Sequence, residues 1–207
     1  MFSLACEKKE LDLVMLADSS GTISADDFSL MKTFMKSLVS SFLIKPEFVQ
    51  VALAQFSAFP VKGFHLNETA SEDDVQKRID AIDQIGQGSY IGRALEFTRK
   101  RYFKEENGSR RKMGISQNLV VITDGSSQDD VVEQAKLLRA MNVDVFVIGV
   151  GRFHQDELIQ IAGQESRVFI VHDFGVLDQI KSKVVESVCL PADQRKIFEL
   201  KIFLLID

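Results

Sequence analysis

Five residues with oxygen-bearing side chains stand where apolar runs give way to turns. Asp18, Ser20 and Thr22 lie in Asp18-Ser19-Ser20-Gly21-Thr22, Ser89 closes the turn Gly86-Gln87-Gly88-Ser89, and Asp124 sits in Thr123-Asp124-Gly125. Together they offer two carboxylates and three hydroxyls, with no thiolate or imidazole among them. Hard oxygen donors of this kind suit Mg²⁺, Mn²⁺ or Ca²⁺ rather than zinc or copper. Two carboxylates balance a divalent cation without saturating its coordination, so an open position would accept a carboxylate from another protein. Other chemistries are less well supplied. His65, His154 and His172 are scattered and show no Ser/His/Asp arrangement. Gly86-x-Gly88 precedes a helical pattern but lacks the G-x-G-x-x-G spacing of a dinucleotide site.

The elements that must position these residues follow from periodicity. Leu11–Ala17 is a short apolar run ending in Asp18, as a buried strand would be. Ser24-Ala25-Asp26-Asp27 has the shape of a capping box, and Phe28, Met31, Phe34, Met35, Leu38 and Phe42 follow at helical spacing. Val49–Phe56 reads as a second strand, and Pro60–Leu66 as a shorter one whose proline suits a sheet edge. A capped helix from Ser71 is expected to run to about Ile85, and another from Tyr90 to about Phe103. After a polar loop at 104–117, Leu119–Thr123 is an apolar strand, and Ser127-Gln128-Asp129-Asp130 reads as the cap of a helix reaching Met141. Val143–Val150, Asp156–Ala162, Val168–Val171 and Phe174–Val188 complete the alternation as strand, helix, strand and helix. Central strands apolar on both faces argue for a mainly parallel sheet of six strands with helices on both sides. In such sheets a ligand site lies beyond the carboxyl ends of the strands.

Composition limits the function classes. A chain of 207 residues, 45% hydrophobic, can bury a substantial core. No apolar run approaches the roughly 20 residues of a bilayer span. The net charge of −5 argues against nucleic acid as a partner. The basic stretch Arg99-Lys100-Arg101, Lys104 and Arg110-Arg111-Lys112 reads as a solvated helix face and loop, with a heparin-like polyanion as the alternative. Cys6 and Cys189 bracket the chain without C-x-x-C spacing; a disulfide between them would stabilise by roughly 5 kcal/mol in the chain-entropy model, and two free thiols are the alternative. Asn67-Glu68-Thr69 and Asn107-Gly108-Ser109 are glycosylation sequons at Asn67 and Asn107 in polar sequence.

The ends of the chain repeat one another. Glu199–Asp207 aligns with Glu10–Asp18, sharing Glu, Leu, Leu and Asp. The expected organisation is a lead at 1–9 carrying Cys6, one domain at 10–189, a linker at 190–198, and at 199–207 the first strand of a following, truncated module. An orphan apolar strand of that kind invites self-association through its edge.

Across about residues 10–188 the sequence resembles von Willebrand factor A domains, including integrin I domains. Asp18, Ser20 and Thr22 match the family's D-x-S-x-S, Ser89 its lone Thr, and Asp124 the Asp of its T-D-G turn. Further matches are Val51–Ser57, Gly92-Arg93-Ala94-Leu95, Val120–Gly125, Ile148-Gly149-Val150-Gly151, Glu157-Leu158 with Ile161-Ala162, and Val168-Phe169 with Asp173-Phe174. Asp18-Ser19-Ser20-Gly21 and Asp124–Asp130 look most like the A modules of collagen VI chains, with matrilins next. The resemblance implies a Rossmann-like, doubly wound α/β fold with one antiparallel edge strand. It also implies a metal-ion-dependent adhesion site in which Ser20 and Thr22 bind the cation directly, Ser89 directly or through water, and Asp18 and Asp124 largely through water. Thr22 and Ser89 each exchange Ser for Thr relative to the pattern, which keeps the hydroxyl and changes only the stiffness of χ1.

The implied work is protein interaction in the secreted extracellular matrix, without catalysis. Collagens, adhesion receptors and neighbouring A modules are the implied partners. A structural spacer with an unused metal site is the alternative. A Mg²⁺-dependent phosphohydrolase is the remote one, since Asp18-x-Ser20-x-Thr22 and Thr123 echo haloacid-dehalogenase-type motifs. That chemistry also needs a positioned Lys and a later acidic pair, and Val143–Val150 runs instead into Gly151-Arg152-Phe153.

Overall fold

The computed structural model describes residues 9–190. Cys6, the linker beyond Leu190 and the apolar segment 199–207 lie outside the described residues. The strands are β1 (Leu11–Asp18), β2 (Val49–Phe56), β3 (Pro60–Phe64), β4 (Ser116–Thr123), β5 (Val143–Val150) and β6 (Val168–Val171). They form one six-stranded sheet in the order β3-β2-β1-β4-β5-β6. Every neighbouring pair is parallel except β2 with β3, so the proline-led strand is the antiparallel edge. Its close approach to β2 needs Gly63, where a Cβ would lie 2.7 Å from the Leu53 carbonyl oxygen.

Helices α1 (Ala25–Val39), α2 (Glu72–Asp80), α3 (Ile91–Arg101), α4 (Val132–Ala140), α5 (Gln155–Ala162) and α6 (Lys181–Cys189) cover the sheet. The two-residue period of β1 divides them. Leu11, Leu13, Met15 and Ala17 face one apolar layer with Phe28 and Met31 of α1, Ile79 of α2 and Val188 of α6. Val14 and Leu16 face the other, with Leu95 of α3, Leu138 of α4 and Ile161 of α5. All eight residues of β1 are buried, including the two aspartates at positions 12 and 18. Burying each large aliphatic side chain there contributes about 1.5–3 kcal/mol relative to leaving it in water.

Several element boundaries differ from the pattern-based expectation, among them β3, which ends at Phe64 rather than Leu66, and β4, which begins at Ser116 rather than Leu119. Helix α2 stops at Asp80 rather than near Ile85, because the following residues have tertiary partners for their backbone groups. Lys32 donates to the carbonyls of Asp80 and Ile82, Gln55 to that of Asp83, and the Ile85 N–H to Ser19 Oγ. Helix α4 begins at Val132, whose N–H is accepted by Asp130 Oδ1 at 3.3 Å, while the hydroxyl and carboxylate of Ser127 and Asp129 serve α3 instead. The segment before α6 forms a 3₁₀ stretch at Phe174–Ile180, so the expected final helix is two pieces.

The chain leaves β1 for β2 and β3 on one side, then crosses back to β4 on the other. The carboxyl ends of β1 and β4 therefore form the switch point of the sheet, where strand order reverses and connections diverge. Asp18 ends β1, and Asp124 follows Thr123 at the end of β4.

Candidate functional site

The structure brings all five oxygen-bearing residues together at that switch point. Asp18 is fully buried, and its Oδ1 accepts the Ser20 N–H at 2.9 Å. Its Oδ2 accepts hydroxyls from Thr123 at 2.7 Å and Ser89 at 3.2 Å. Ser20 Oγ and Thr22 Oγ1 are 2.9 Å apart, and Thr22 donates on to Asp124 Oδ1 at 2.8 Å. Asp18, Ser20 and Ser89 are buried, Asp124 is half-buried and Thr22 is exposed. The cluster is thus a rim with one side facing solvent.

Local sequence explains the placement. Ser19 turns inward and is held by Gln55 Nε2 and the Ile85 N–H at 3.2 and 2.8 Å. Gly21 N–H donates to the Gln87 carbonyl and Gly86 N–H to that of Ser19, which ties the loop after β1 to the loop before α3. Ser89 is then fixed by the start of α3. The Ile91 N–H donates to Ser127 Oγ, and those of Gly92 and Arg93 to the Asp129 carboxylate at 2.7 and 2.9 Å. Gly92 is required there, since a Cβ would lie 2.1 Å from the Asp130 carbonyl oxygen. Glu157 of α5 in turn accepts the Ser127 N–H at 2.8 Å.

The electrostatics are those of a site short of positive charge. Burial pushes the Asp18 carboxyl above its ordinary value, against hydrogen bonds from Ser20 and Thr123, and the charge of Asp124 pushes the same way. Burial likewise raises Asp124, opposed by the Thr22 hydrogen bond and assisted by Asp27. Every hydrogen-bond partner of Asp18 is a neutral hydroxyl or amide. Two desolvated carboxylates with hydroxyls between them are a donor set that a hard divalent cation fits. Among the described residues no group of three or more His, Cys, Asp or Glu side chains gathers to hold a metal.

Thr123, Ser19, Ser127 and Asp129 belong to the supporting structure; the sequence marks Thr123 only through the phosphohydrolase echo and the other three not as site residues. The signal for Thr123 was its place beside Asp124 at the end of an otherwise apolar strand. Cys189 is disulfide-bonded, whereas Cys6 lies outside the described residues. Of the two sequons, Asn67 is exposed on a 3₁₀ turn. Asn107 is half-buried, and its amide donates to the Arg101 carbonyl at 2.6 Å.

The basic stretch is largely neutralised. Lys100 pairs with Glu96 at 2.6 Å, Lys104 with Glu106 at 3.4 Å, Lys112 with Glu105 at 2.7 Å, and Arg110 with Asp12 at 2.8 Å.

Comparison with known proteins adds an independent line. A model of the von Willebrand factor type A domain matches residues 12–183. The collagen alpha-6(VI) chain of Homo sapiens is 38% identical over 204 residues, covering 98% of this chain and 9% of that one. Matrilin-2 of Mus musculus is 29% identical over 187 residues, covering 89% of this chain and 20% of that protein. The chain thus spans under a tenth of the collagen VI relative. Proximal thread matrix protein 1 from the mussel byssus superposes with a TM-score of 0.81 at 30% identity, covering 89% of this chain and 47% of that one. A further structure of that mussel protein is described as having a zinc-occupied metal-ion-dependent adhesion motif.

Proposed function

This chain belongs to the von Willebrand factor type A domain family, and from that premise we propose that it is a secreted extracellular-matrix interaction module that grips partner proteins through a divalent cation. The observation that carries the reading is the convergence of Asp18, Ser20, Thr22, Ser89 and Asp124 on one solvent-facing rim. Ser20 and Thr22 would hold the cation directly, with Ser89 beside them. Asp18 and Asp124 would supply the compensating charge, Asp18 while keeping its bonds to Thr123 and the Ser20 N–H. A bound Mg²⁺, Mn²⁺ or Ca²⁺ supplies an open coordination position for a carboxylate of the partner. The exposure of Thr22 and the partial exposure of Asp124 leave that position reachable from solvent. Collagens, adhesion receptors and neighbouring A modules are the partner class this reading favours.

Calorimetric titration with Mg²⁺ tests it. Wild type is expected to bind at millimolar affinity or better, and Asp124→Ala to show no binding. A wild type without measurable binding overturns the metal mechanism.

One observation favours a second reading, an assembly or spacer module working through other surfaces. The hydroxyls and carboxylates of the rim already satisfy one another, from Ser20 through Thr22 to Asp124. Pull-down from matrix extract separates the two, since partner capture that survives EDTA supports the spacer. Catalysis is poorly supported. Asp18 has no exposed surface and both oxygens accept hydrogen bonds, which leaves no line of attack for an aspartyl nucleophile.

A further inference from the structure

At the pole opposite the rim, where β4 and β5 begin, lies a cleft of about 500 Å³. Arg111, Arg139, Arg167 and Asp144 line it, with Ile115 and Val143 as apolar wall. Three guanidinium groups around one carboxylate is an inversion of charge in a chain whose net charge is −5. Two of the three are anchored. Arg139 donates from Nη1 to the carbonyls of Gln160 and Ile161 at 3.0 and 2.7 Å. Arg167 pairs with Asp144 at 2.9 Å and lies over the Phe146 ring, 5.7 Å from its centroid. Its Nε is buried and finds no acceptor among the described residues. Arg111 is exposed and makes no ion pair among the described residues. Burial, and to a lesser extent the charge of Arg167, hold Arg139 below its ordinary pKa. Fixed guanidinium forks match carboxylates in plane and spacing, and their fixing limits the entropy lost on binding.

We propose that this cleft is a docking site for an acidic peptide segment of another protein, whose carboxylate enters between Arg111, Arg139 and Arg167. A sulfated glycan is disfavoured, because the lysines that would form a continuous basic track are paired with Glu96, Glu105 and Glu106. What remains is a discrete pocket with an apolar wall that suits the stem of one side chain. The site is independent of the metal rim, since it lies at the other end of the strands.

The test is fluorescence anisotropy of a fluorescein-labelled hexaglutamate peptide on the full chain, with EDTA present to keep cations off the rim. Saturable, salt-sensitive binding is expected. Arg111→Glu, an exposed substitution outside the core, should weaken it at least about fivefold, and Asp144→Asn should tighten it about twofold to threefold by removing the competing carboxylate. In parallel, amide NMR shifts on peptide addition should cluster at Gly114 and Asn142 beside the cleft. Absence of saturable binding, or equal binding by the Arg111→Glu variant, overturns the proposal. So does tighter binding of a heparin-derived octasaccharide that responds to Arg101→Glu rather than Arg111→Glu, which would assign the face to a sulfated glycan.

Discussion

Strand β1 buries one aspartate at each end, and the two are treated oppositely. Asp12, at the start, is neutralised by the protein itself. Its Oδ1 accepts Arg110 Nε at 2.8 Å, and its Oδ2 accepts the Arg110 N–H and Gln117 Nε2, each at 2.7 Å. Arg110 also donates from Nη2 to the carbonyls of Leu11 and Phe48 and from Nη1 to that of Pro46. Asp18, at the end of the same strand, meets only neutral donors and stands near a second carboxylate. One pole of the sheet is closed by an internal cation, and the other is built with that charge left out. Equal burial therefore does not imply an equal role. The partner decides whether a buried acid is structure or site.

The largest expected effect separates the poles by stability. Asp12→Ala leaves Arg110 mostly buried without its counter-charge, which should cost about 3–5 kcal/mol in urea unfolding. Asp124→Ala at the rim, measured without metal, should change stability by no more than about 1 kcal/mol. Comparable losses at both ends would break the contrast. The next effect reverses its sense. Mg²⁺ at about one hundred times its dissociation constant should stabilise the wild type by about 2.7 kcal/mol and raise its melting temperature, while leaving Asp124→Ala unmoved. A melting temperature indifferent to Mg²⁺ in both proteins would mean that the open pole is not a cation site.

The contrast also marks how far the sequence could be read. Strand β1, its terminal Asp18 and the hydroxyls two and four residues on were legible because they are local, with apolar period and turn spacing in one short stretch. The proline-led edge strand was legible for the same reason. Arg110 was read as part of a solvated basic run, because its role depends on Asp12, 98 residues away, and periodicity carries no information across that distance. Ser127 and Asp129 were legible as capping residues but not as caps of α3, since the helix they serve precedes them by more than 30 residues. The early end of α2 was hidden likewise, because Gln55 and Ser19 take up backbone groups that a helix would otherwise have bonded. These tertiary uses are measurable. Asp129→Ala removes the acceptor of two N–H groups at the start of α3 and should cost about 0.5–2 kcal/mol. By loosening Ser89 it should also weaken Mg²⁺ binding, whereas a stability loss with unchanged affinity would show that Ser89 is held without that cap.

The smallest effect belongs to a third ionisable group, His65, at the far end of β3. Its ring packs against Tyr102 with centroids 4.7 Å apart, and its Nδ1 is buried with no hydrogen-bond partner among the described residues. Burial first, then the charges of Lys62 and Arg101, lower its pKa below 6.5, and Glu68 opposes them. As pH falls, the unfolded chain therefore takes up the proton before the folded one. The stabilising contribution of neutral His65 is complete above pH 6.5 and is lost as pH falls below it towards the folded-state value. Glu68 titrates in a separate window. Burial works against its ionisation, but Lys62 and the His65 N–H hold it below 4.5, so its contribution is lost only at lower pH. Asp18 and Asp124, raised by burial, act with the opposite sign but are common to wild type and His65→Gln. The difference between those two proteins isolates the imidazole. Urea midpoints at about pH 7.5 and about pH 5.5 should fall more steeply for wild type than for His65→Gln. Parallel declines would show that His65 gives up no stability on protonation.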